Sequence, residues 1–146
     1  MPRAPRPLPM LLLLAALSGC AGGGAVPRSG QADGRQELEA SAPILGDLVR
    51  AGQVCGIAVS TAALDRAARI EAAVIELHRR QGGTAARDDF LRSMAPPSFD
   101  PRQGGADRAA WCAARQAEIA RADGFLTGRS GDALLLRAEA TLASLH

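Results

Sequence analysis

The sequence predicts an all-α fold: a small bundle of four or five helices with one disulfide, carried on a flexible N-terminal tether. Three observations lead there. Apolar residues recur at helical spacing in several separate segments, Gly and Pro clusters punctuate those segments, and two cysteines stand far apart in an aromatic-poor chain. At 146 residues the chain has room for one domain with a modest core.

The first helix is expected from Pro43, where a missing N–H costs nothing, to about Gly52. Ile44, Leu45, Leu48 and Val49 fall on one of its faces. Gln53 to Val59 reads as an extended crossing around Gly56. The longest helix is expected from about Ala62 to Gln81, with Ser60 or Thr61 as N-cap and Gly82-Gly83 as its stop. Ala63, Ala67, Ile70, Val74 and Leu77 form its apolar stripe, with Leu64 and Ile75 at the margin and Asp65, Arg66, Arg69, Glu76, Arg79 and Arg80 opposite. Glu71 and His78 interrupt that stripe two turns apart. They are the candidate polar site, open to two readings: a ligand or proton-handling pair, or rim residues that bond to backbone or to a facing Arg. Seven residues of helical rise put them ~10 Å apart, too far to pair without a third group.

A short helix from Thr84 to about Met94 is expected to bury Ala86, Phe90, Leu91 and Met94, with Pro96-Pro97 ending it. The stretch from Pro96 to Gly105 reads as a loop around Phe99. The next helix, about Arg108 to Asp123, is expected to be capped by Asp107 and stopped by Gly124, with Ala109, Cys112, Ala113, Ile119 and Ala120 turned inward. Trp111 then falls on the side of Arg115 and Glu118. Phe99 and Trp111 are the candidate partner-binding residues, each either presented outward or packed back on its own domain. The last helix is expected from about Asp132 to Leu145, with Leu134, Leu135, Ala138, Leu142 and Leu145 as its stripe.

At the start of the chain, Arg3 and Arg6 without an acid precede an unbroken apolar run from Met10 to Leu17, followed by Ser18 and Gly19. That is the pattern of an export signal, and the run is far shorter than the ~20 residues of a spanning helix. Leu17-Ser18-Gly19-Cys20 resembles the lipobox of bacterial lipoprotein signal peptides. The resemblance covers only the first twenty or so residues. It implies cleavage before Cys20, a diacylglycerol thioether on its sulfur and acylation of the new amine. Two or three acyl chains hold stably where one is marginal. Ala21 in place of Asp implies sorting to the outer membrane, facing the periplasm.

The domains expected are therefore a signal peptide over 1–19, a lipidated cysteine and tether over 20–42, and a helical domain over 43–146. Of the 17 basic residues, Arg3 and Arg6 fall in the leader, which leaves 15 to match the 15 acids. A near-neutral mature chain has no basic excess to suit nucleic acid. Once Cys20 is lipidated, Cys55 and Cys112 are the remaining pair, and an oxidising compartment favours a disulfide between them.

No H-E-x-x-H, P-loop, G-x-S-x-G or dinucleotide fingerprint is present, and two histidines with paired cysteines are too few for a zinc site. The expectation is no catalysis, no cofactor and no metal. The function expected is that of an envelope lipoprotein that binds or scaffolds another envelope protein. In arrangement only, it resembles the helical secretin pilotins, which hold a partner's amphipathic segment in a groove. The second reading is a periplasmic stress chaperone or inhibitor, similar in size and disulfide use to small helical acid chaperones. The third is an enzyme or ligand carrier that uses Glu71 and His78.

Overall fold

The computed structural model describes residues 29–146, with side chains from residue 33 on except that of Gln103. The expected signal peptide, Cys20 and the part of the expected tether up to residue 28 lie outside the described residues. Four α-helices follow one another: α1 (Ser29–Cys55), α2 (Thr61–Ser93), α3 (Ala106–Thr127) and α4 (Arg129–Ser144), with a 3-10 turn at Pro101–Gln103. The fold is the expected helical bundle, and Cys55 and Cys112 form its disulfide.

The first helix begins fourteen residues before the expected start, at Ser29, and Pro43 lies inside it rather than at its head. Residues 29–42 are thus helix, which corrects the expected tether over that stretch. Proline inside a helix removes one backbone bond and costs ~3 kcal/mol. Burial offsets that cost, because Leu38, Ala42, Leu45 and Val49 make one stripe that continues across the proline. Leu38 and Ala42 are fully buried, and Glu37 pairs with Arg137 of α4 at 2.6 Å. Ile44 corrects the expected inner face, for it is 62% exposed. The buried residues on either side of it set the rotation of the helix.

α1 continues past Gly52 to Cys55 and ends in a left-handed Gly56 at φ 66°. The Gly56 N–H bonds to the Gln53 carbonyl and the Ile57 N–H to the Gly52 carbonyl at 2.9 Å, the two bonds of a Schellman stop. Ile57 to Val59 then cross to α2 without regular structure.

Ser60 caps α2 as expected, its hydroxyl accepting from the Ala63 N–H at 3.2 Å. The same hydroxyl and the Ser60 N–H both donate to Asp123 of α3, at 2.7 and 2.8 Å. The inner face is the expected one: Ala63, Ala67, Ile70, Val74 and Leu77 are all buried. Gly82 and Gly83 leave helical geometry, so α2 is two segments joined at a break, and Phe90 beyond it returns to stack on His78 at 5.0 Å. Phe90 and Met94 are buried there, while Leu91 is 37% exposed.

α3 corrects three expectations. It starts at Ala106 with Gly105 as N-cap and no side-chain cap, so Asp107 lies in the first turn. It runs through Gly124 to Thr127, so Phe125 and Leu126 are helical. Its buried residues are Ile119, Ala122 and Leu126, whereas Ala109, Ala113 and Ala120 face solvent. Large side chains decide how a helix is rotated, and alanines bury too little area to compete. α4 begins at Arg129 and buries Leu134 and Ala138, with Leu135 and Leu142 packed against the core.

Arg50 meets Glu71 and Glu39 meets Gln81, so α1 and α2 run antiparallel. α2 packs between α1 and α4, and α3 lies against α1, α2 and α4. The disulfide ties the last residue of α1 to α3, closing a separation of 57 residues. A loop of that size is worth ~4 kcal/mol in the chain-entropy account, a large share of the ~5–15 kcal/mol that holds a domain folded.

Candidate partner-binding groove

Beside the disulfide, α1 and α3 leave a groove of about 360 Å³ between them. Ile44, Leu45 and Leu48 form its α1 wall, and Ala122 and Phe125 give apolar surface on α3. Ile44 at 62% and Phe125 at 39% exposure keep the walls open to solvent. Exposed apolar side chains on facing walls of one groove are the usual mark of a recognition surface.

One end of the groove is built by charge and aromatic packing. Asp47 of α1 accepts from Arg115 of α3 at 2.6 Å, and both line the groove. The Arg115 guanidinium lies over the Trp111 ring at 4.7 Å from its centre, a cation–π contact. Phe99 meets the same ring edge-on, with centroids 5.5 Å apart. The two candidate aromatics therefore stand together, half-buried, and Trp111 reaches the groove through Arg115. Trp111, Arg115, Glu118, Ala122 and Phe125 follow one another at helical spacing down this side of α3.

Glu71 and His78 do not meet. Glu71 takes two bonds from the Arg50 guanidinium, at 2.9 and 2.8 Å, and His78 takes the Phe90 ring. Glu71 thus bonds to a facing Arg, one of the two arrangements expected for it, and that Arg lies on α1, which spacing along α2 does not reveal. Arg50 also donates to the Gly46 carbonyl at 3.0 Å and lies 3.7 Å from the Met94 sulfur. Hydrogen bonding to Glu71 raises the Arg50 pKa, against the opposing effect of its burial. This knot joins α1, α2 and the end of the second α2 segment, and it is a structural joint away from the groove.

Cys55 and Cys112 are joined, so neither is a free thiol. Among the described residues no three His, Cys, Asp or Glu side chains stand close enough to hold a metal ion. No helix of the described residues is long and apolar enough to cross a membrane.

Trp111 and Phe99, the aromatics that stand out in the sequence, pack on each other and do not line the groove, whereas Ile44 and Phe125 line it without standing out. Ile44 reads as core because its neighbours Leu45 and Leu48 share its face, and the expected stop at Gly124 leaves Phe125 outside the helix. The available signal was the i, i+7, i+14 run of Trp111, Glu118 and Phe125, which only makes a face if α3 continues past that glycine. No protein-family model, curated protein or solved structure matches the chain.

Proposed function

We propose that the chain is a lipid-anchored protein of the bacterial cell envelope that works as a binding module, with the groove between α1 and α3 as its contact surface for another envelope protein. The observation that carries the binding half is the pair of exposed apolar side chains, Ile44 and Phe125, on facing walls of one groove. The Leu17-Ser18-Gly19-Cys20 motif carries the anchoring half. A half-buried disulfide suits an oxidising compartment, and it ties together the two helices that form the groove walls. A lipid on Cys20 holds the domain at the membrane surface, where a partner in the same envelope is met at high effective concentration.

Two measurements test this. Growth on labelled fatty acid should mark the native chain and leave Cys20→Ser unmarked. A photo-crosslinking side chain at position 125 should give one discrete adduct with an envelope protein in intact cells, lost when Ile44→Asp is added. Absence of label sinks the anchor, and a diffuse smear unaffected by Ile44→Asp sinks the groove.

A further inference from the structure

The lip of the groove points to the chemistry of its occupant. Four times the sequence places an acid three residues before an arginine on a helix: Asp47 and Arg50, Glu76 and Arg79, Asp89 and Arg92, Glu118 and Arg121. Order and spacing are the same in all four, and Asp47 and Arg50 turn instead to Arg115 and Glu71 on other helices. Glu76 and Arg79 close on each other at 2.6 Å, and Asp89 and Arg92 also pair. Glu118 and Arg121 do not, and among the described residues neither forms an ion pair with anything else. They are also the pair that lines the groove. Both are exposed, so one unmatched negative and one unmatched positive charge stand a turn apart on its α3 lip.

The α1 wall opposite is apolar except for Asp47, which is already committed to Arg115. Resting on the binding-module reading, we infer that the groove takes a single amphipathic helix of a partner protein. Its apolar face meets Ile44, Leu48 and Phe125, and one edge carries a base opposite Glu118 and an acid opposite Arg121, one turn apart. Charge complementarity of this kind sets register and partner choice more than raw affinity. The α3 lining runs from Arg115 to Phe125, ten steps of ~1.5 Å, which matches about three turns of such a helix.

Shape and backbone argue against two other occupants. A second copy docked about a two-fold axis sets groove against groove and leaves both unfilled. An extended strand needs free backbone donors and acceptors along a sheet edge, and both walls here are helices whose ladders are internally satisfied.

The test uses the full chain with Cys20→Ser, oxidised to close Cys55–Cys112, and three labelled synthetic helices of about sixteen residues that share one leucine face. Their edges carry a Lys and a Glu one turn apart, two Glu, or two Lys. Fluorescence anisotropy should show the mixed edge binding about threefold or more tightly than either single-sign edge. Glu118→Arg should transfer the preference to the two-Glu helix, and Arg121→Glu to the two-Lys helix. Ile44→Asp should abolish binding of all three. Equal affinity for the three helices, unmoved by the lip variants, overturns the charge assignment while leaving the binding module standing. Failure of any helix to bind a chain with intact helical circular dichroism overturns both.

Discussion

Arg50 of α1 holds Glu71 of α2 through two parallel N–H donors at 2.9 and 2.8 Å, with the carboxylate side chain only 13% exposed. A bidentate contact of this kind orients both helices as well as attracting them. It is the joint that sets how α1 lies on α2.

Removing one partner of that joint leaves the other half-buried without a counter-charge. Glu71→Ala is expected to cost about 2 kcal/mol of folding stability, read as a lowered urea midpoint with an unchanged slope. The double change Arg50→Met with Glu71→Leu should recover most of it, because it removes both charges and keeps the volume. A double variant no more stable than the single one would show that the ion pair itself, rather than the avoidance of a lone charge, does the holding.

Two glycines inside α1 should respond to Ala in opposite directions. At Gly46 a Cβ would run into the Met94 sulfur and come 2.7 Å from Glu71 Oε1 and 2.8 Å from Arg50 Nη1. At Gly34 the nearest atom is Arg137 Cδ at 3.7 Å, ordinary contact. Gly34→Ala should therefore gain up to about 1 kcal/mol from helix propensity. Gly46→Ala should lose about 1–2 kcal/mol because crowding of the joint outweighs the same gain. Thermal melts of the two variants decide it, and equal signs would contradict the packing described around Gly46.

Opening the disulfide is expected to lower stability by about 2–4 kcal/mol, whether by reductant or by Cys55→Ser with Cys112→Ser. The two routes should agree in urea unfolding. A reduced chain as stable as the oxidised one would mean that the core alone holds α1 against α3.

Asp123 carries the acid dependence between α2 and α3. The Ser60 hydroxyl, and after it the Ser60 backbone N–H, hold its carboxyl below the ordinary carboxylate pKa. The folded chain thus takes up this proton less readily than the unfolded one. The contribution is present above the unfolded value and is lost as pH falls through the depressed folded value. Asp123→Asn should therefore be less stable than the native chain near neutral pH, and the gap should narrow on acidification from about pH 6 to pH 2. Glu76, drawn down to about 2 by Arg79 and Arg80, titrates over the same acid limb in both proteins and cancels from the comparison. A gap that stays constant over that range would remove Asp123 from the acid response.

Much of the fold was legible because it is local. The inner face of α2 follows from apolar residues at helical spacing, the break at Gly82-Gly83 from two residues without Cβ, and the cap from a serine ahead of the run. The candidate site was legible only in part. Trp111 and Phe99 stand out by composition, but their contact with each other joins a loop to a helix twelve residues away in sequence. The groove itself has two walls some seventy residues apart, and no local pattern records which helices become neighbours.

By itself, the sequence determined that the chain is helical, where α2 begins and breaks, and which two cysteines of the domain were available to join. The helical features depend on groups within a turn or two of one another, so spacing and residue type suffice, and the cysteines follow from a count. Tertiary structure alone decided that helix persists through Pro43, that α3 runs past Gly124, that Ile44 faces out and that Glu71 belongs to Arg50. Each of these sets a local preference of a few kcal/mol at most against burial or charge pairing with a distant segment, and the distant contact prevails.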